Sequence, residues 1–442
     1  MAGQPIKAQQ NPPTISRLAI AFRALRHRNF QLFFAGQLVS LIGTWMQSVA
    51  QSWLVYRLTG SAVLLGAVSF SAQFPVFLVA PLGGIIADRH NRRRVVIGTQ
   101  TVSMILAGIL ACLTLSNRIQ VWHIFILSAL LGSVNAIDIP TRQAFLVDMV
   151  GREDLMNAIA LNSSMFNGAR IVGPAIAGIL VAAIGEGWCF FANSVSFIAV
   201  IAGLFLMKIK SAAIGGTAQS PLENIKEGFR FAWNARPVRA LLLLLGLVSL
   251  VGMPYAVLMP IFAGQILHGG ARGLGILMGA TGVGALLGAL TLAAKRNLQG
   301  LGRWITIAAA AFGASMILFA SSRIFWLSVA LLVPLGFSMM LQMSSSNTLI
   351  QSMVPDRLRG RVMSVYSMMF MGMAPFGALF AGFVARVLGA PLTLAIGGVA
   401  CICGTVVFGT RLAGIRSEAR QLILAQQMAG GEPAHVEGAV SG

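Results

Sequence analysis

Lysine and arginine recur in every second connection of this chain and nearly vanish from the connections in between. Apolar stretches run over roughly 30–56, 62–87, 95–115, 121–141, 157–184, 187–207, 240–266, 273–294, 304–321, 324–346, 362–385 and 388–410. Of 32 Lys and Arg, five (Arg57, Arg118, Arg272, Arg323 and Arg386) fall in the second set of connections and Arg170 alone lies deep inside a stretch, which leaves 26 in the termini and alternate loops. A soluble fold has no reason to sort charge by loop parity, whereas a chain threaded repeatedly through a bilayer keeps its basic loops cytosolic. Each stretch is long enough for ~30 Å of hydrocarbon, which takes ~20 helical residues. The pattern predicts an all-α polytopic protein of the plasma (inner) membrane, with twelve transmembrane helices and both termini cytosolic.

Composition agrees, since 57% of residues are apolar and 10% charged, against about 25% charged in soluble domains. A net charge of +20 would suit nucleic acid only if the basic residues gathered on one soluble face, so the expected partner is the lipid bilayer. Cys112, Cys189, Cys401 and Cys403 lie within apolar stretches, where thiols act as small hydrophobes, and no metal, cofactor or disulfide is implied. The five histidines are scattered between loops and tail, so no catalytic cluster is formed and an enzyme is not expected. A G-x-x-x-x-G-K-[ST] phosphate loop is lacking as well. Residues 1–29 are polar and basic without a signal-peptide pattern; 16–28 suit either a basic amphipathic helix or a cytosolic tail.

The longest internal connection, 208–239, carries six basic residues and the segment PLENIKEGFRFAWN, which reads as an interfacial helix. It separates six stretches from six. An ungapped shift of 204 residues superposes the halves: Trp122 falls on Trp326, Gly132 on Gly336, Gly173 on Gly377, Gly178 on Gly382 and Gly185 on Gly389. Transporters commonly contain such repeats around a midplane site. The predicted organisation is a cytosolic segment 1–29, a six-helix bundle 30–207, a cytosolic linker 208–239, a pseudo-symmetric six-helix bundle 240–410 and a cytosolic tail 411–442.

Polar residues inside spans are costly, and their placement points to function or to helix contacts. Gln37, Ser40, Thr44, Gln47 and Gln51 follow one another at helical spacing on the first span. They line a cavity or bond neighbouring helices. Arg170 lies 13 positions into the fifth span, where translocon scales charge it about 2.5 to 3.5 kcal/mol. It either holds an anionic or carbonyl-rich substrate or bonds backbone carbonyls, with Asn167 near its face. Asn135 and Gln342 are further candidates for the substrate path. Asp138 is the carboxylate within a predicted stretch, with Arg142 at i+4; the two form a boundary ion pair, or Asp138 serves as the protonation site of a proton-coupled carrier. The second half concentrates methionine, from Met339 to Met373, as core filler or as a wall that repacks around varied apolar ligands.

The loop GGIIADRHNRRRVV, Gly83 to Val96, resembles the cytoplasmic motif G-x-x-x-D-R-x-G-R-R of the major facilitator superfamily over Gly84 to Arg93, with Asn91 where the family usually has Gly. Asn tolerates a left-handed turn, so the turn is expected to survive. The resemblance implies a gating loop in which Gly84, Asp88, Arg89, Arg92 and Arg93 latch the cytoplasmic side. G-A-R-I-V-G-P-A-I-A-G, Gly168 to Gly178, is similar to the fifth-span motif of superfamily antiporters, with Ala177 replacing a glycine. Gly173, Pro174 and Gly178 permit a bend and close packing. VGREDLMNA (Val150 to Ala158) and LRGRVMSVY (Leu358 to Tyr366) look like the exporter branch that includes enterobactin exporters and macrolide or tetracycline efflux proteins.

This resemblance implies proton-linked export of a hydrophobic or amphiphilic small molecule, siderophore or drug class, by a chain that works as a monomer. Metabolite uptake or facilitated diffusion is the alternative, and a non-transporting membrane sensor is the alternative of another class. Green fluorescent protein fused to either end should fluoresce, and alkaline phosphatase fused there should be inactive; opposite results at the two ends would remove the even number of crossings.

Overall fold

In the computed structural model, residues 22–208, 221–295 and 300–429 are described. Twelve helices among them are long and apolar enough to cross a membrane. The first half comprises α1 (Arg28–Thr59), α2 (Ala62–Arg89), α3 (Arg92–Leu115), α4 (Val121–Val150), α5 (Leu155–Ile184) and α6 (Glu186–Leu206). After the linker helix α7 (Pro221–Asn234) come α8 (Arg236–Ile266), α9 (Gly270–Ala294), α10 (Leu301–Ser321), α11 (Phe325–Met353), α12 (Arg357–Leu388), α13 (Ala390–Thr410) and a tail helix α14 (Leu412–Ala429). Helices are forced here because hydrocarbon offers no partner for an open backbone N–H or C=O.

The connections carry their own chemistry. Gly60, at φ +59°, ends α1, and Ser61 accepts from the Leu64 N–H to start α2. Asn91 does not take the expected left-handed turn. It is extended, at φ −62°, and its side-chain oxygen accepts from the Arg94 N–H at 3.1 Å, so it caps α3 instead. Helix α8 is interrupted by π-helical turns at Val248–Gly252 and Phe262–Ile266, on either side of a seven-residue α-helical piece that opens at Tyr255. Pro254 lacks the N–H that an unbroken α-helix needs there.

Within the first half α1 packs on α5 and α6, α2 on α4, and α3 on α6. Within the second, α9 packs on α11, α10 on α11 and α13, and α8 on α12 and α13. The halves meet through α5 against α9 and α2 against α12, which the 204-residue shift interchanges. Matched glycines do matching work in these contacts. A Cβ at Gly173 would meet Trp45 of α1, and one at Gly377 would meet the Leu250 carbonyl of α8. A Cβ at Gly178 would lie 3.0 Å from the Gly275 Cα of α9, and one at Gly382 would lie 2.6 Å from the Ala62 carbonyl of α2. Phe70, Phe74 and Phe77 of α2 also surround Phe376 of α12 at ring distances of 5.8, 6.0 and 6.4 Å.

The described helix ends that flank the basic connections define one side of the molecule, called here the basic face. Toward it the apolar core is split. Phe30, Phe33, Val96, Phe145, Phe197 and their neighbours form a cluster wholly in the first half, and Val238, Leu241, Ile305, Ile350 and Val362 belong to another wholly in the second. Toward the opposite face a single cluster draws on both, including Leu54, Leu65, Phe190, Leu258, Phe262 and Leu274. The molecule is closed on that side, where Tyr56 of α1 rests directly over Gly264 of α8. Gly264→Val would drive a side chain into the Tyr56 ring, an overpacking of about 1–3 kcal/mol. It should shift the population toward a state open opposite the basic face, and Tyr56→Ala in the same chain should restore closure. Spin-label distances between the ends of α1 and α8 test this, and unchanged distances would count against it.

Candidate functional site

The polar row of α1 divides among several neighbours. Gln47 accepts from Asn193 Nδ2 of α6 at 2.7 Å, and Gln51 donates to Ser128 Oγ of α4 at 2.9 Å. Ser40 is buried on the same stretch as Gly36 and Gly43, two glycines that lie against α6. Gln37 is buried with its side-chain oxygen unpartnered, and the exposed Thr44 donates to the Ser40 carbonyl. Helix contact thus accounts for Gln47 and Gln51; Gln37 keeps free hydrogen-bonding capacity.

Arg170 lies where the halves join. Its guanidinium carbon is 5.7 Å from the centre of the Trp45 ring on α1, within cation–π range. The Tyr255 hydroxyl of α8 also interacts with Arg170 and with Thr281 of α9, and it approaches Met339 Sδ of α11 at 4.0 Å. The α5–α9 joint fixes this placement, because a Cβ at Gly282 would lie 3.2 Å from the Arg170 carbonyl. Gly173, one turn further along α5, lets Trp45 approach, and Gly178 sets the distance to α9. Trp45 also meets Phe166 edge-on at 5.6 Å, so an aromatic wall runs from the guanidinium toward the basic face. Asn167 turns back to the Ser163 carbonyl at 2.9 Å.

Asp138 is buried between α3 and α4. One carboxylate oxygen accepts from Thr99 Oγ1 at 2.7 Å and Gln100 Nε2 at 2.9 Å; the other lies 3.7 Å from Arg142 Nε. It therefore faces the interior of its own half. The 204-residue shift carries Asp138 onto Gln342, which is buried on α11 with both amide atoms unpartnered, beside Ser345 and Ser346 with unpartnered hydroxyls. Asn135, half-buried one turn before Asp138, makes no hydrogen bond among the described residues.

The surroundings of Gly84 and the side chain of Asp88 lie outside the described residues, although α2 runs past them to Arg89, which is exposed. Arg92 bonds the Ala144 carbonyl at 3.2 Å and pairs with Asp148 of α4 at 3.2 Å. Arg93 donates to the Leu204 and Phe205 carbonyls at 2.8 and 3.0 Å, covering open acceptors at the end of α6. These two arginines fasten α3 to its own half. The VGREDLMNA segment also acts as a fastener, because Asp154 takes Arg23 and His27, each at 2.8 Å, and Asn157 accepts from the Ala24 N–H. In the second half, Arg357 and Arg361 at the start of α12 pair with Glu227 of α7.

Several residues escape sequence reasoning. Trp45, Tyr255, Thr281 and Asn193 acquire roles only through helices distant in the chain. Tyr255 had a usable local signal, since it follows Pro254 at a break in a span. Glu186, at the start of α6, is buried and grips Arg57 of α1 through two hydrogen bonds of 2.8 and 3.2 Å. It pins the end of α1 that carries Tyr56.

Residues 19–433 match the family model described as a transmembrane secretion effector. The chain is 28% identical to the staphyloferrin A transporter of Staphylococcus aureus (strain NCTC 8325 / PS 47), over 85% of this chain and 94% of that protein. It is 24% identical to macrolide efflux protein A of Streptococcus pyogenes, over 86% and 94% respectively. A solved bacterial homologue of the iron transporter ferroportin, in an inward-facing state, shares the fold with a TM-score of 0.67 at 16% identity, covering 87% of this chain and 98% of that one.

Asn193→Leu should strand the buried Gln47 amide and cost about 1–3 kcal/mol. Adding Gln47→Leu should recover most of that loss, because both partners are then apolar. Thermal unfolding in detergent compares the two, and a double variant no more stable than the single one would contradict the role given to this pair.

Proposed function

This chain belongs to the transmembrane secretion effector family of the major facilitator superfamily, and on that premise we propose that it exports a hydrophobic or amphiphilic small molecule, siderophore or drug class, by proton antiport with alternating access. The split apolar core carries this reading. Two halves with separate cores toward the basic face and a shared core opposite form a cleft with one closed end. Rocking about the α5–α9 and α2–α12 contacts would close one end and open the other. The relatives named for staphyloferrin A transport and macrolide efflux support a small-molecule cargo.

In this reading the basic face is cytosolic, both termini lie there, and the membrane is the plasma (inner) membrane. One chain forms the complete path. Gln37, Ser40, Thr44, Gln47, Gln51, Asn135, Asn167, Arg170 and Gln342 border or support it, and Gly84, Asp88, Arg89, Arg92 and Arg93 gate it. Asp138 is the coupling group: a proton taken by its carboxylate would weaken the attraction to Arg142 and reorganise the bonds from Thr99 and Gln100. A facilitated carrier is the second reading, favoured by the burial of Asp138 inside one half, where its carboxylate already has partners.

Inside-out vesicles with an acidified lumen separate the two. The wild type should concentrate compounds from a panel of siderophores, antibiotics and dyes, and nigericin should stop it. Asp138→Asn should abolish concentration while leaving downhill flux; concentration that survives Asp138→Asn would exclude this carboxylate as the coupling group, and no gradient-dependent movement of any compound would count against export.

A further inference from the structure

The described carboxylates pair with basic side chains. Asp138 has Arg142, Asp148 has Arg92, Asp154 has Arg23 and His27, Glu186 has Arg57, Glu227 has Arg357 and Arg361, and Glu418 has Arg236. Arg170, inside the membrane, stands outside these pairs. Among the described residues no carboxylate pairs with it; its neighbours are the face of Trp45 and the hydroxyl of Tyr255, both neutral. These orient the guanidinium without cancelling its charge, and Arg170 stays partly exposed while Tyr255 is 3% exposed. A guanidinium held this deep demands a counter-charge, and its five donors suit a planar oxyanion.

From this we propose that the site around Arg170 binds the anionic group of the cargo, which is therefore an amphiphilic anion such as a carboxylate or sulfonate; this rests on the export reading. The 204-residue shift places Ala374 opposite Arg170, so the positive charge comes from one half alone. The other half supplies the Tyr255 hydroxyl, held beside Thr281, whose own hydroxyl donates to the Leu277 carbonyl at 3.2 Å, and Met339 as an apolar neighbour. One end of the cargo binds at the guanidinium, and its apolar part lies along the Trp45 and Phe166 wall. A cationic cargo is selected against: at about 6 Å and an effective dielectric near 20, a second positive charge would lose about a hundredfold in affinity.

The test uses two xanthene dyes of opposite charge, 5-carboxyfluorescein and rhodamine 6G, binding to the full chain in nanodiscs by fluorescence anisotropy. The wild type should prefer carboxyfluorescein. Arg170→Gln should weaken that dye by roughly 10- to 100-fold, the worth of a charge-assisted bond, and reduce the discrimination against rhodamine. Arg170→Lys should keep part of the preference. Tyr255→Phe, which removes the hydroxyl beside the guanidinium and keeps the ring, should weaken carboxyfluorescein more than rhodamine, and it decides the matter if Arg170→Gln does not fold. Absence of carboxyfluorescein binding that depends on these residues, or equal or tighter binding of rhodamine by the wild type, overturns the assignment. Vesicle transport separates the two readings: anion binding that depends on Arg170 without export of either dye or of the compound panel would leave the site standing and the export reading fallen. Export of rhodamine unaffected by Arg170→Gln would do the reverse.

Discussion

The contact of α5 with α1 on one side and α9 on the other holds the rest of the molecule in place. In hydrocarbon no hydrophobic force draws helices together, because lipid tails are as apolar as leucine, so association depends on close backbone packing. Gly173, Gly178 and Gly275 provide that approach, and Gly377 and Gly382 repeat it on α12. Where Gly178 meets Gly275 such an interface has no side chain on either partner to interlock. It tolerates pivoting better than an interlocked one, which suits two halves that share a core at one end only.

Charge is spent on keeping each half rigid. At the basic face Arg92 and Arg93 tie α3 to α4 and α6, Asp154 holds the segment before α1, and Glu227 ties α7 to the start of α12. Each half thus grips the first turns of the helix, α5 or α12, that carries its contact with the other half. At the opposite face the buried Glu186 grips Arg57 and so steadies Tyr56 over Gly264. An exposed pair such as Arg357 with Glu227 contributes little stability singly. The importance of these pairs lies in position, because they leave the joints as the compliant parts.

The sequence was most legible where the bilayer imposes the rule. Span number and the half-to-half shift follow from apolar length and loop charge, and the glycines matched by that shift occupy equivalent contacts. The polar row of α1 was less legible. Helical spacing places Gln37, Ser40, Thr44, Gln47 and Gln51 near one another, but α1 packs on α4, α5 and α6, and a period of 3.6 residues does not say which neighbour a glutamine meets. Asn91 teaches a related lesson: the residue type suits a left-handed turn and a helix cap alike, and the entry of α3 selected the cap.

Sequence alone determined that this chain is helical, crosses the membrane twelve times in two related halves and carries one arginine deep within a span, because each follows from the cost of exposing polar groups to hydrocarbon. Tertiary structure decided what that arginine meets, which glutamines serve as ties, and which end of the cleft is shut. Those outcomes depend on distances between helices far apart in the chain, and close packing sets them through the combined shapes of many side chains rather than through any local pattern.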